Sequence, residues 1–138
     1  MSLKSDIESL LLEVDIEFEP RISSKNNITD YAQKLVNQAT VFPVYIEGVL
    51  VAFIAIYCNN YETKIAYLSM IAVKKELRGG GIGLNLVEIA TKYIKSIGFK
   101  TFRLEVYNSN TKAISLYSKL GFIEKENGGD SVFMELAI

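Results

Sequence analysis

The stretch Val73-Lys74-Lys75-Glu76-Leu77-Arg78-Gly79-Gly80-Gly81-Ile82-Gly83 joins an apolar run to an amphipathic helical pattern. Four of its last five residues are glycine, and Arg78 stands in front of them. The start of a helix offers free backbone N–H groups and a positive dipole end, which together bind phosphate. Glycines let a bulky diphosphate approach the backbone, and an arginine adds a charge-assisted hydrogen bond. The stretch predicts a phosphate-binding loop; the alternative is a tight turn with no ligand.

Two common nucleotide loops do not fit this stretch. A P-loop requires Lys-Ser or Lys-Thr after its last glycine, and neither follows Gly83. The dinucleotide fingerprint Gly-x-Gly-x-x-Gly is not matched either, because Gly79, Gly81 and Gly83 alternate at a spacing of two. The loop also follows a third strand-like run rather than a first one, so neither nucleotide fold is favoured.

Strand-like runs rich in β-branched and aromatic residues flank the loop. Upstream they cover Val41–Glu47, Val49–Cys58 and Lys64–Val73, and the short connections between them predict antiparallel hairpins. Downstream, apolar residues recur at helical spacing over Ile82–Ile97, and Thr101–Tyr107 alternates between apolar and polar. A strand, a helix and another strand form a crossover, which predicts that the last two strands are parallel.

The two ends of the chain complete the pattern. A helix is predicted from Ile7 to Phe18, ended by Pro20, and another from Ile28 to Ala39 after the cap Asn26-Asn27. Asn110 can cap a helix that runs to Leu120, and two short strands follow near Phe122–Lys125 and Val132–Leu136. We therefore expect one α/β domain over residues 1–138, with a central mixed, mostly antiparallel sheet flanked by helices.

Composition excludes several classes of protein. The 138 residues contain no histidine, so His-dependent triads and His-ligated zinc are excluded, and no metal is expected. A net charge of −1 argues against nucleic acid as a partner. No apolar run is long enough to span a membrane, and the lone Cys58, expected to be a buried apolar residue, fits a reducing cytoplasm. The expected location is the cytoplasm.

Two motifs in this chain resemble those of the GCN5-related N-acetyltransferases, the GNAT superfamily. Arg78-Gly79-Gly80-Gly81-Ile82-Gly83 is similar to the family loop Arg/Gln-x-x-Gly-x-Gly/Ala. The segment from Asn110 to Phe122 is similar to the family pattern Asn-x-x-Ala-x-x-x-Tyr-x-x-x-Gly-Phe. The resemblance covers roughly residues 41–138, and the chain departs from it at the start, where the family's first strand is not evident.

The resemblance implies that acetyl-CoA is the co-substrate and that residues 41–138 bind it, while the two helices in residues 1–40 shape the substrate side. The pantetheine arm would pair with the main chain of Ile71, Ala72 and Val73, since its amides resemble those of a peptide. The diphosphate would lie on the glycine loop. The implied cofactor-binding residues are Ile71, Ala72, Val73, Arg78, Gly79, Gly80, Gly81, Ile82, Gly83, Leu84, Asn110 and Tyr117.

The resemblance also implies direct attack of an amine on the thioester, with Tyr117 as the general acid for the thiolate. Since histidine is absent, the proton acceptor is a carboxylate, directly or through water. Glu105 is the first candidate because it lies on the polar side of its strand and some relatives that acetylate protein N-termini use the matching glutamate. Glu47, Glu62 and solvent alone remain alternatives. A backbone amide near Ile71 is the implied oxyanion donor.

The expected activity is transfer of an acetyl group to a primary amine of a small molecule, such as an amino sugar or an amino-acid-like compound. A protein N-terminal or lysine acetyltransferase and a non-catalytic acyl-CoA-binding module remain alternatives. A homodimer through edge strands near the C-terminus stays open, as does the acyl-chain preference. The tyrosines proposed to line the acceptor pocket are Tyr45, Tyr57, Tyr61, Tyr67 and Tyr107.

Overall fold

The computed structural model describes residues 2–138 and contains a six-stranded sheet flanked by helices. The α-helices are α1 Leu3–Val14, α2 Ile28–Gln38, α3 Ile82–Ser96 and α4 Thr111–Lys119. The strands are β1 Thr40–Ile46, β2 Val49–Tyr57, β3 Ile65–Val73, β4 Thr101–Tyr107, β5 Ile123–Asn127 and β6 Ser131–Ala137. This arrangement confirms the predicted α/β architecture.

The strands lie in the order β1-β2-β3-β4-β6-β5. β1 pairs antiparallel with β2, and β2 pairs antiparallel with β3, as the short turns predict. β3 and β4 are parallel, so the predicted crossover through α3 is confirmed. β6 lies between β4 and β5 and is antiparallel to both. Within residues 2–138, no strand precedes α1, in line with the departure seen in the sequence.

The first helix is shorter than its periodicity predicts. α1 ends at Val14, a 3-10 turn covers Asp15–Glu17, and Phe18 is extended. The Asp15 carboxylate accepts hydrogen bonds from the backbone N–H of Ser23 at 2.8 Å and from the Ser23 hydroxyl at 2.6 Å. These bonds tie the end of α1 to a second 3-10 turn at Ile22–Ser24, so the chain turns there instead of continuing the helix.

Each face of the sheet carries its own hydrophobic core. α3 and α4 cover one face, where Phe99, Phe102 and Phe122 are buried. α1 and α2 cover the other face, where Leu11, Leu35 and Phe53 are buried. Seven consecutive residues of β2, Leu50–Ile56, are buried because the strand contributes to both cores, which explains the long apolar run around it. Cys58 is buried as well, as the sequence predicts.

Candidate active site

β3 and β4 separate along their length and leave an open strand edge. Their parallel pairing covers only Ile65–Tyr67 against Thr101–Arg103, although β3 continues to Val73 and β4 to Tyr107. Beyond Tyr67, the side of β3 that faces β4 therefore has no strand partner within residues 2–138. This edge includes the main chain of Ile71, Ala72 and Val73, the predicted pantetheine-binding residues.

A β-bulge interrupts β3 where the two strands separate. Ala55 and Ile56 of β2 lie opposite Met70 and Leu68, so Ser69 is the additional residue on β3. A bulge changes the direction of the backbone and leaves one residue out of the ladder. The Ser69 hydroxyl lies 2.8 Å from the hydroxyl of Tyr31 on α2. The bulge thus places an irregular backbone segment directly before Ile71, where the oxyanion donor is expected.

The glycine loop forms an open cradle at the start of α3. Gly79 and Gly81 have φ values of +87° and +86°, a conformation that disfavours any residue with a Cβ. A Cβ added at Gly79, Gly81 or Gly83 would meet no atom within 4 Å, so the space above the loop is free. The first helical hydrogen bond runs from Asn85 N–H to the Gly81 carbonyl at 3.0 Å. The N–H groups of Ile82, Gly83 and Leu84 therefore remain available to a diphosphate.

The Arg78 guanidinium is already engaged beside this cradle. Its two terminal nitrogens, Nη1 and Nη2, donate to Oε1 and Oε2 of Glu17 at 3.2 and 3.0 Å. Its Nε donates to the carbonyl of Val73 at 3.1 Å. Arg78 thus lies next to both the end of β3 and the glycine loop, but a diphosphate would have to share it with Glu17.

Glu105 lies on β4, on the sheet face that α1 and α2 cover. Phe102, Leu104 and Val106 point to the α3–α4 core, so the alternation predicted for this strand is confirmed. The carboxylate of Glu105 accepts a 2.6 Å hydrogen bond from the hydroxyl of Ser131 on β6. Glu105 is exposed, whereas Ser131 is buried. The hydroxyl fixes one carboxylate oxygen and leaves the other open to an incoming group.

Tyrosines and one lysine surround Glu105. Burial raises the pKa of Tyr67, and the nearby charge of Glu105 raises it further. Tyr107, the next residue on the same face of β4, receives a hydrogen bond from the ammonium of Lys25, which follows the Ile22–Ser24 turn. Because Tyr107 accepts this bond, the pKa of Lys25 is raised. Tyr67, Tyr107 and Glu105 are thus brought together on the predicted substrate side.

Tyr117 lies on α4 and points into the α3–α4 core. It is 8% exposed, and its ring centroid lies 5.6 Å from that of Phe122. Burial raises the pKa of Tyr117 to about 12, so the phenol is protonated throughout the neutral range. Within residues 2–138, its hydroxyl makes no hydrogen bond, which leaves the proton free for a ligand. Asn110 caps the same helix by accepting from the N–H of Ala113 at 3.1 Å.

Other predicted candidates lie elsewhere. Tyr45 is exposed and donates to Asp6 at 2.7 Å, and Tyr61 packs its ring against Phe99. Glu47 and Glu62 lie in turns at opposite ends of β2, which is separated from β4 by β3. Tyr57 lies near the bulge: burial raises the pKa of its phenol, and its buried hydroxyl has no hydrogen-bond partner among residues 2–138.

Sequence reasoning missed Ser131, Ser69, Tyr31 and Lys25. The contact of Ser131 with Glu105 could have been predicted. Antiparallel pairing of β4 with β6 places Ser131 opposite Tyr107, which is two residues from Glu105 on the same strand. Ser69 and Tyr31 meet only because α2 packs on β3, and Lys25 reaches β4 across 82 residues of chain. No local pattern signals such contacts.

Over residues 2–138, no three His, Cys, Asp or Glu side chains are grouped to hold a metal ion. Over the same residues, no helix is both long and apolar enough to cross a membrane.

Comparison with known proteins agrees with this geometry. An uncharacterized N-acetyltransferase from Methanocaldococcus jannaschii is 38% identical over 89 residues, covering 62% of this chain and 39% of that protein. A thialysine N-epsilon-acetyltransferase from Mus musculus is 29% identical over 120 residues, covering 85% of this chain and 71% of the relative. The crystal structure of the PaiA N-acetyltransferase from Thermoplasma acidophilum in complex with coenzyme A superposes with a TM-score of 0.79. It is 21% identical and covers 99% of this chain and 96% of that one.

The chain spans less than half the length of the first curated relatives that it matches, from 22% to 45% of each. The family profile, by contrast, covers most of the chain. The Acetyltransferase (GNAT) family matches residues 6–122, which include the open edge of β3, the glycine loop, Glu105 and Tyr117. The chain therefore belongs to the GNAT acetyltransferase family.

Proposed function

We propose that this protein is an N-acetyltransferase that uses acetyl-CoA to acetylate a primary amine of a small molecule. One observation carries the proposal: the unpaired edge of β3 leads directly into the open glycine cradle at the start of α3. An arm with two amides followed by a diphosphate matches these two features in this order. Ile71, Ala72 and Val73 hold the arm, and the N–H groups of Ile82, Gly83 and Leu84 hold the diphosphate.

Acetyl-CoA, when bound, supplies an acyl thioester as the electrophile. The chain's own residues supply the proton transfers and the stabilisation of charge. Glu105, with one oxygen fixed by Ser131, takes a proton from the incoming ammonium, directly or through water. Backbone N–H groups at the bulge between Ser69 and Ile71 would stabilise the developing oxyanion. Tyr117 donates its proton to the leaving sulfur.

The surroundings of Glu105 favour a small polar acceptor. The Ser131 hydroxyl donates to the carboxylate, Tyr67 and Lys25 are close enough to respond to its charge, and Tyr107 accepts from Lys25. These groups match the hydrogen-bonding atoms of an amino sugar or an amino acid. The relative from Mus musculus is named for an amino-acid substrate, thialysine, which supports the same class.

A protein N-terminus is the second candidate, and the exposure of Glu105 favours it. The turn between β5 and β6, at residues 128–130, is short.

Release of CoA measured with a panel of amines tests the proposal. We expect turnover with amino sugars or amino acids and little with peptides of unblocked N-terminus; the reverse result favours the second candidate. Stabilisation by acetyl-CoA without turnover on any amine would instead indicate a binding module.

The variant Glu105→Gln tests whether Glu105 is the general base that takes a proton from the amine. General-base catalysis contributes about 10²-fold or more, so kcat/KM should fall by that factor below pH 8, where an amine needs deprotonation. Glu124→Gln is the matched control, because Glu124 is an exposed carboxylate on β5. An unchanged kcat/KM in Glu105→Gln would leave proton removal to water.

A homodimer through β5 is a further part of the proposal. β5 is one of the two edge strands of the sheet, β1 being the other, and all five residues of β5 are exposed. An unpaired edge can pair with a second copy. The molar mass in solution, measured by light scattering, decides between monomer and dimer.

A further inference from the structure

Lys25 places a primary ammonium of the chain itself on the acceptor side. The residue follows the 3-10 turn Ile22–Ser24, which connects α1 to α2. Its Nζ donates to the hydroxyl of Tyr107 and lies 4.6 Å from the centroid of the same ring. The distance to the ring follows from the hydrogen bond to the hydroxyl, so this one bond holds the end of an exposed lysine that would otherwise extend into solvent.

This position is close to the proposed base. Tyr107 and Glu105 point to the same face of β4 and are two residues apart, which corresponds to about 7 Å along a strand. The carboxylates of Glu105 and Asp130 both act on the charge of Lys25. The four-carbon stem of lysine is flexible, so Nζ is not restricted to its position at Tyr107.

Lys34 shows that this arrangement is not general for lysines near tyrosines. Its Nζ lies 5.8 Å from the centroid of Tyr57, farther than Lys25 lies from Tyr107. Within residues 2–138, Lys34 makes no hydrogen bond to a tyrosine hydroxyl. It therefore serves as the matched comparison for Lys25.

We propose that Lys25 is an acetylation site of this protein, modified within the same molecule at the proposed acetyltransferase site. The inference rests on the proposed function. The Lys25 ammonium first loses a proton to Glu105 or water, and the neutral Nζ attacks the thioester carbon. The N–C amide bond forms and the C–S bond breaks. The second proton of nitrogen goes to the leaving sulfur, so the products are acetyl-Lys25, CoA thiol and one proton.

The modification changes the acceptor side. An acetylated Lys25 has no charge, so it no longer donates a charge-assisted hydrogen bond to the Tyr107 hydroxyl or attracts Glu105 and Asp130. Tyr107 and Glu105 then become accessible to an external amine. We expect the KM for external amines to fall after modification, with kcat little changed.

Mass spectrometry of the full chain incubated with isotope-labelled acetyl-CoA tests the proposal. We expect Lys25 to gain label about tenfold or more faster than Lys34, because an amine held near the site reacts as if highly concentrated. The first-order rate constant should not depend on protein concentration. Excess CoA should suppress labelling of Lys25 but not of Lys34. Lys25→Arg removes the acceptor, and Tyr107→Phe, which keeps the ring, should slow the labelling of Lys25.

The outcomes separate this inference from the proposed function. Turnover of external amines with Lys25 labelled no faster than Lys34 overturns the inference and leaves the proposed function intact. A labelling rate that rises in proportion to protein concentration overturns modification within one molecule. Acetyl-CoA binding with neither Lys25 labelling nor amine turnover overturns both.

Discussion

At the scale of single residues, burial controls the chemistry of Tyr117. The side chain is 8% exposed, and the resulting loss of solvation raises its pKa to about 12. A phenol with this pKa stays protonated at neutral pH, so Tyr117 carries a proton when the thiolate leaves. The same burial makes the phenol a weaker acid than an exposed tyrosine, so the proton transfer to sulfur depends on direct contact between the two groups.

Tyr117→Phe separates the two roles. We expect kcat to fall about 10²-fold, because the acid is lost. The free energy of unfolding should change by less than about 1 kcal/mol, since the hydroxyl has no hydrogen bond to lose within the described residues. Steady-state kinetics and urea unfolding measure the two effects. Tyr93→Phe on α3 is the control. Equal kcat values for wild type and Tyr117→Phe would exclude Tyr117 as the acid.

The raised pKa values of Tyr31 and Tyr117 lead us to expect a lower free energy of unfolding at alkaline pH. Burial raises both pKa values to about 12, whereas a tyrosine in the unfolded chain ionises near pH 10. The unfolded state therefore binds fewer protons than the folded state in this window. Stability is complete below about pH 10 and decreases as the pH rises towards about 12. Urea unfolding across this range measures the slope.

The variant Tyr31→Phe tests how much Tyr31 contributes to the pH dependence of the free energy of unfolding. The variant loses the contact with Ser69, which costs about 1 kcal/mol at neutral pH. Its stability should then depend less on pH above about pH 10 than that of the wild type. Identical slopes would assign the alkaline loss to other groups.

At the scale of elements, two glycines at the junction between the glycine loop and α3 differ in backbone conformation. Gly81 caps α3 with a φ of +86°, while Gly83 lies inside the first turn of the helix. The first position requires glycine for its conformation, whereas the second does not. Two alanine substitutions two residues apart therefore have opposite expected effects on stability.

Gly81→Ala should lower the free energy of unfolding by about 1 kcal/mol, because a Cβ disfavours positive φ. Gly83→Ala should raise it by about 0.5 kcal/mol, because alanine is the better helix former and its Cβ meets no atom within 4 Å. Thermal unfolding measures both.

Binding of CoA, followed by calorimetry, gives the second readout for the pair. Gly81→Ala should bind more weakly, since a change in loop conformation moves the N–H groups away from the diphosphate. Gly83→Ala should keep its affinity, because the family loop accepts alanine at this place. A destabilised Gly83→Ala, or tight binding by Gly81→Ala, would contradict this account of the loop.

At the scale of the whole molecule, two ion pairs connect α1 and the turn after it to the cofactor loop. Arg78 pairs with Glu17, and Lys74 pairs with Glu13, each at 3.0 Å. The end of α1 and the glycine loop are therefore linked by charged groups. In the proposed function, a diphosphate at the loop would compete with Glu17 for Arg78.

Glu17→Gln should therefore increase the affinity for CoA by about two- to fivefold, the range that corresponds to an exposed ion pair of up to about 1 kcal/mol. The unfolding free energy should fall by less than that amount. The gain in affinity should shrink at high salt, because screening already weakens the pair in the wild type. Glu124→Gln should change neither quantity. A weaker affinity in Glu17→Gln would mean that Glu17 orients Arg78 instead of competing for it.

The helices and strands could be predicted from the sequence, whereas several contacts between distant side chains could not. The alternation of apolar and polar residues in β4 correctly placed Glu105 on the sheet face that does not contact the α3–α4 core, because strand periodicity is a local property. Periodicity extended α1 to Phe18, but the bonds of Asp15 to Ser23 end it earlier. The engagement of Arg78 by Glu17 joins residues 61 positions apart, which no local pattern describes.

The sequence by itself determined the order of helices and strands, the concentration of glycines before α3 and the absence of histidine chemistry. Backbone propensity, side-chain periodicity and residue type suffice for these properties. Only the tertiary structure decided that β3 and β4 separate after Tyr67, that Ser131 fixes Glu105 and that Lys25 reaches Tyr107. These features arise from packing between distant segments, where the energy of a contact depends on which elements the fold brings together.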